Sequence, residues 1–214
     1  MDLDKSPTSI ITIEGEQLEN VDNFVYLGSR IDADGKISPE IRRRLAIATS
    51  KLNAMSTLWK THWIDIKIRI LKTCIFPVAT YGCETWTITR ADEKKISAFE
   101  MKCYRKILKI PWTAKVSNKD VLEQIGLEEC QLMNIIKRQK LSYFGHIKRH
   151  DTIERLFMEG LCEGRRGRGR PRRRWIQDVS DWMGLTATET GRRAQMRNEF
   201  REAVWEATSK KDPP

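Results

Sequence analysis

Two groups of side chains have types and spacings from which a chemical site can be drawn. Asp32-Ala33-Asp34 sets two carboxylates close together, as proteins do to hold Mg²⁺. Gly35 comes too early for an EF-hand loop, and Asp with Gly beside a strand end makes a turn, so a turn without metal is expected. His146 and His150 have a spacing that puts both imidazoles on one helix face, and with Cys130 and Cys162 a zinc site can be imagined. No close cysteine pair supports it, and packing beside Gly145 is the better reading of His146. The chain has no phosphate-cradling glycine loop, no G-x-S-x-G and no CxxC.

The sharper local signal is cationic. Gly164 to Arg174 reads GRRGRGRPRRR, with seven arginines, three glycines, one proline and no apolar residue. Glycine lets backbone approach a surface and proline fixes φ. Arg168 and Arg170 around Gly169 could therefore enter a narrow minor groove, in the manner of an AT-hook core, while Arg165, Arg166, Arg172, Arg173 and Arg174 neutralise phosphates. General phosphate binding, a solvated linker and a localisation signal are the other readings of this segment. The formal net charge is +10, with three basic and eight acidic groups in residues 1–36, so the remainder carries +15. A basic body of that size attracts polyanions, although a solvated lysine-rich surface gives the same totals.

The five cysteines are odd in number and widely spaced, which suits a reducing compartment with most of them buried as small apolar residues. There is no apolar signal core and no run near the roughly 20 residues of a membrane span. A nuclear or cytoplasmic protein, neither secreted nor membrane-bound, is expected.

The elements that would position these cations are mostly helical. Residues 9–31 read as β structure, with Ile11 and Ile13 alternating as in a half-buried strand, a turn at Glu14-Gly15-Glu16, a strand at Phe24–Gly28, and a turn from Ile31 to Lys36. Ser38 caps a helix with Pro39 in its first turn, and Ile41, Leu45, Ala48, Leu52, Met55 and Trp59 follow at helical spacing, with Arg42, Arg43, Arg44 and Lys51 mostly off that stripe. An apolar helix over Ile64–Tyr81 should be kinked or ended by Pro77. Thr89 opens the next helix, with Asp92 in the capping-box position. Its inner face is Ile96, Phe99, Cys103 and Ile107, and its outer face holds Lys94, Lys95, Lys102, Arg105, Lys106 and Lys109. A short helix starts at Ser117 or Asn118. A long one over Gln131–Arg149 turns Leu132, Ile135, Ile136, Phe144 and Ile147 inward, with Lys137, Arg138, Lys140, Lys148 and Arg149 as positive charge. The last helical pattern uses Trp175, Val179, Trp182, Phe200, Val204 and Trp205. Most of the seven tryptophans read as packing anchors, and Trp112 is the best candidate for stacking on a base.

In order along the chain come Tyr26-Leu27-Gly28-Ser29, Pro77, Tyr81-Gly82-Cys83-Glu84-Thr85-Trp86, Phe99-Glu100-Met101-Lys102-Cys103 with Arg105, Leu141 with Gly145-His146, and Gly169-Arg170-Pro171 with Trp175. Each piece is modest, but their order and spacing together are specific. From roughly Ile10 to Val179 the chain resembles the C-terminal part of reverse transcriptases of non-LTR (LINE-type) retrotransposons, of the endonuclease–reverse transcriptase kind. The resemblance implies that residues 1–36 end a polymerase palm, 37–115 form a helical thumb, and 116–160 a C-terminal extension. An Arg/Gly-rich segment (161–174) and terminal helices (175–214) follow. It also implies that the Asp-Asp turn and upstream aspartate that hold two Mg²⁺ lie before residue 1, so this chain alone should hold no cofactor and not polymerise.

The expected fold is mainly α with a short N-terminal β hairpin or meander. The expected function is to hold an RNA/DNA duplex or structured nucleic acid, with Lys94, Lys102, Arg105, Lys106 and Lys109 on the thumb and Arg165 to Arg174 in the tail contacting the backbone. A domesticated protein-interaction scaffold and a non-functional retrotransposon remnant remain open. Composition and pattern say nothing of the oligomeric state.

Overall fold

A computed structural model of the chain describes residues 12–13, 15–19, 21–111, 113–159 and 173–209. It is mainly α behind short N-terminal β structure, as expected. Two small antiparallel hairpins open it. In the first, β1 (Thr12–Ile13) pairs with β2 (Glu16–Gln17). In the second, β3 (Asn23–Tyr26) pairs with β4 (Ser29–Asp32), with Tyr26 opposite Ser29. The two residues between them, Leu27 and Gly28, have φ of 45° and 80°, the left-handed pair that a tight hairpin turn requires. Glycine adopts this freely, but a leucine costs about 1–2 kcal/mol there.

Two expectations for this region need correction. Ile31 and Asp32 are still paired in β4, and the turn comes after them, closed by the Gly35 N–H donating to the Asp32 carbonyl at 2.8 Å. The apolar residues are not half-buried: Ile13, Phe24, Val25, Leu27 and Ile31 are all more than half exposed. A two-stranded ribbon buries a face only against a second layer, and among the described residues no such layer covers these side chains.

The helices follow. On α1 (Ser38–Ala54), Ile41, Ala48 and Leu52 are fully buried. Ser38 does not cap it. Ile37 is the cap position, and the Ser38 hydroxyl instead donates to the Asp92 carboxylate at 2.8 Å. Pro77 leaves its mark on the second helical rod. α2 (Ile64–Ile70) runs into a π turn (Leu71–Ile75) and then α3 (Phe76–Ala79). In a regular α-helix the proline ring would strike the carbonyl four residues back; the wider turn makes room. On α4 (Arg90–Leu108), Thr89 caps through the Asp92 N–H, and Ile96, Cys103 and Ile107 are fully buried. Ser117 and Asp120 form a full capping box on α5 (Asn118–Ile125). α6 (Leu132–Arg149), α7 (Ile153–Glu159), α8 (Trp175–Met183), α9 (Ala187–Gln195) and α10 (Arg197–Thr208) complete the chain.

The long helix α6 belongs to two apolar clusters. Its first half gives Leu132 and Ile136 to the cluster built by α1 to α5, and its second half gives Leu141 and Phe144 to Val179, Ala194, Phe200 and Val204. Trp182 packs against both. Polar contacts hold α6 at its start and near its middle. At its start, the buried Glu100 of α4 accepts from the Gln131 and Leu132 N–H groups at 2.6 and 2.9 Å, a cap supplied from another helix where the dipole favours an anion. Near its middle, Lys140 is no solvated cation: it is fully buried and ion-paired with the equally buried Asp178 of α8. Its Nζ also donates to the Trp86 carbonyl at 2.6 Å and lies 4.7 Å from the Trp175 ring centre. Burial pulls its pKa down to about 8 against the pull of Asp178. Trp205, expected inside, is 54% exposed.

Two measurements check these interactions. Asp178→Ala strands the buried Lys140 ammonium and should lower unfolding free energy by about 3–5 kcal/mol, read from the urea midpoint. Acid denaturation should separate the buried carboxylates. Burial pushes Asp92 and Glu40 up. Hydrogen bonds from Thr89, Ser38 and Lys95 to Asp92, and from Arg43 and Arg44 to Glu40, outweigh it and hold both below their ordinary values of 3.8 and 4.5. The stability they add is present above those values and lost as pH falls through the lower folded values. Asp92→Asn should therefore flatten the fall of stability below about pH 4. Glu100 is raised by burial, against donors that include Tyr104 and Leu132. Its contribution has the opposite sign, and Glu100→Gln should steepen the acid limb just above pH 4.5, its ordinary value.

Candidate nucleic-acid interface

The regular α4 helix sets its outer cations in a row. Lys94, Lys102 and Lys106 are eight and four residues apart, which at about 100° per residue spreads them over about 120° of the outer face; all three are exposed, and among the described residues none of them forms an ion pair. The neighbouring Lys95 differs, because its Nζ lies 3.2 Å from Asp92. The other two expected contacts have structural partners. Arg105 is half-buried and donates to the Val116 carbonyl and the Asn118 side chain, both at 2.9 Å, which ties the loop after α4 to α5. Lys109 sits in the left-handed conformation that ends α4 and reaches the Lys60 carbonyl at 3.2 Å. At the same helix end the buried Lys67 donates to the Ile107 carbonyl at 3.0 Å, where a cation suits the dipole.

Arg165, Arg166, Arg168, Arg170 and Arg172 lie outside the described residues, as do Trp112 and Cys162. The two arginines that follow are placed. Arg173 pairs with Asp178 and Asp181, each at 2.6 Å, so its guanidinium is occupied by carboxylates. Arg174 is exposed at the start of α8, where the Gln177 side chain accepts from its backbone N–H at 2.7 Å.

Neither metal reading gains a site. Asp32 pairs with Arg30 at 2.8 Å and Asp34 with Lys36 at 2.7 Å. His146 and His150 do share a face, with ring centres 4.4 Å apart, but among the described residues no three His, Cys, Asp or Glu side chains converge on one point. The described residues therefore do not fit Mg²⁺, and no chemical step follows through it. Cys83 and Cys103 are buried and pushed up to about 12 by desolvation, so they are packing groups rather than nucleophiles. Cys74, against expectation, is exposed.

The structure brings together two motif blocks that are far apart in sequence. The Tyr81 hydroxyl donates to the Leu27 carbonyl at 2.8 Å. Arg43 and Arg44 both donate to the Gly28 carbonyl, and the Arg44 guanidinium lies 4.3 Å from the centre of the Tyr81 ring. Arg44, expected off the buried stripe, is 8% exposed, because Glu40 holds it at 2.7 Å. A side chain at Gly82 would meet the Ser29 hydroxyl at 3.1 Å. The Tyr26–Ser29 turn and the Tyr81–Trp86 segment thus face each other across a cavity of about 660 Å³. The second segment also grips the rest of the fold. Cys83 donates to Gln139, the Glu84 carbonyl accepts from Trp175 at 2.8 Å, and the Ile88 N–H donates to Asp178 at 2.9 Å. Sequence reasoning missed this role of Lys140, Arg44 and Asp178, since their spacing matches that of solvated charges.

No family model and no solved structure matches the chain. Among curated proteins it is similar to an uncharacterized transposon-derived protein of Caenorhabditis elegans, at 28% identity over 136 residues, covering 62% of this chain and 49% of that one. The chain spans about half the length of the curated relative it matches.

The contact between the motif blocks gives a prediction. Tyr81→Phe removes one hydrogen bond from the turn, worth about 1 kcal/mol. Amide exchange should quicken over Ser29–Asp32, while the global unfolding midpoint changes little.

Proposed function

We propose that this chain is the nucleic-acid-holding end of a LINE-type reverse transcriptase, and that it grips the template–primer duplex without carrying out the polymerase chemistry. The observation that carries the reading is the row Lys94, Lys102 and Lys106, exposed on the outer half of α4 with no carboxylate engaging it among the described residues. Such a row follows a phosphate backbone and is indifferent to base sequence. The order of the motif blocks, the +15 charge carried after residue 36 and the transposon-derived relative support the same assignment. Arg165 to Arg172 would add further phosphate contacts, and Mg²⁺ would belong to a palm that the residues of this chain do not supply.

One observation favours a second reading, a domesticated scaffold that works by protein contact. Phe24 and Ile31, a cross-strand pair on one face of the second hairpin, stand exposed together, as at protein interfaces. A remnant of a retrotransposon would share the same relative. Among the described residues no buried side-chain nitrogen or oxygen lacks a partner, which supports a folded product on any of these readings.

Binding of a labelled 20-base-pair duplex (about two helical turns of B-DNA) across a salt series tests the assignment. Affinity should fall steeply with salt. Lys94→Ala with Lys102→Ala and Lys106→Ala should reduce the log–log slope by about 0.9 for each phosphate that is no longer neutralised. Absence of binding at about 50 mM salt, or an unchanged slope in the triple variant, would refute it.

A further inference from the structure

A second cationic site lies on other residues, in a groove of about 340 Å³ between α6 and α10. From α6 it is lined by Arg138, Ser142 and Arg149, and from α10 by Arg197, Arg201 and Trp205, with no carboxylate among its lining residues. The helical repeat explains this. At about 100° per residue, Arg197, Arg201 and Trp205 fall on one side of α10, and Glu199, Glu202 and Glu206 fall on the opposite half from Arg197. Among the described residues neither Arg197 nor Arg201 forms an ion pair, and both are exposed. Arg149 is anchored by donating to the Ala194 carbonyl at 2.8 Å, and Arg138 leans on the Thr208 hydroxyl at 3.4 Å. Each keeps further N–H donors on its guanidinium fork.

The groove is built, not incidental. Phe200 forms its floor, and it lies so close to α6 that a Cβ at Gly145 would meet its ring at 2.6 Å. Glycine at this position lets the two helices approach and sets their arginines side by side. Trp205 is 54% exposed at the end of the row, so its ring is accessible to a flat ligand. Four guanidiniums that bind phosphate, one hydroxyl and an open indole are the parts of a site for single-stranded nucleic acid. A duplex would offer the phosphates but keep its bases stacked away from the indole.

We infer that the α6–α10 groove binds single-stranded nucleic acid, with the arginines along the phosphates and a base stacked on Trp205. The inference does not depend on the α4 row. The full chain should be titrated with two labelled oligomers of about 12 nucleotides, one of thymidine and one of the same length without bases. Trp205→Ala should weaken the thymidine oligomer roughly 5- to 150-fold and leave the abasic oligomer unchanged, while Trp205→Phe retains most of the difference. Arg197→Ala with Arg201→Ala should weaken both and reduce the salt slope by about 0.7 per phosphate left without its arginine. These side chains are exposed, so unchanged circular dichroism and thermal midpoint should confirm that the variants fold. The inference is overturned if Trp205→Ala weakens both oligomers equally, or if neither change affects either oligomer, the result expected of a groove made for an acidic protein segment. The α4 lysine variant separates the two assignments. It should lose duplex affinity yet keep the Trp205-dependent preference for bases, and if its duplex slope is unchanged only the α4 reading falls.

Discussion

The arrangement of the helices depends on one buried ion pair. Lys140 and Asp178 have no solvent exposure, and removing two charges from water is expensive. The fold offsets that cost by giving both charges further partners. Lys140 also donates to the Trp86 carbonyl and faces the Trp175 and Trp182 rings, while Asp178 also accepts from Ile88 and Arg173. The pair therefore joins α6, α8 and the segment between α3 and α4 at one point. Apolar packing alone would let α8 slide along α6; a directional pair with fixed acceptors does not.

The same segment extends that control to the N-terminal hairpin. Tyr81 and the arginines of α1 hold the Leu27 and Gly28 carbonyls, which keeps a strained leucine in its turn. The sharp turn and the close approach at Gly82 both belong to this docking. Seen this way, the Tyr81-Gly82-Cys83-Glu84-Thr85-Trp86 block is a connector. Its side chains reach the hairpin and α6, and its carbonyls reach α6 and α8.

The positive charge of the chain divides into two populations. Arg44, Lys67, Lys140 and Arg173 are engaged by carboxylates or carbonyls and keep the helices in place. Lys94, Lys102, Lys106, Arg197 and Arg201 face solvent without an ion partner among the described residues. Net charge counts both populations alike, but only the second is available to a polyanion.

Reading along the chain is enough to place the main elements. Apolar residues at helical spacing mark α1, α4 and α6, because burial of one face selects the period. Thr89 and Ser117 mark helix starts, because a side-chain oxygen must satisfy the free N–H groups there. The row on α4 is legible too, since residues four apart are neighbours on a helix wherever it packs. Which charges are used up is settled by packing alone. Lys140 and Lys148 lie on the same helix and read alike, yet one is fully buried and the other pairs with Glu159 near the surface. The α6–α10 groove is equally hidden, because Arg138 and Arg201 are distant in sequence and meet only when Gly145 lets Phe200 approach. Periodicity reports which face of a helix is apolar. It cannot report which helix arrives on that face, and that arrival decides whether a cation becomes part of the core or part of a binding surface.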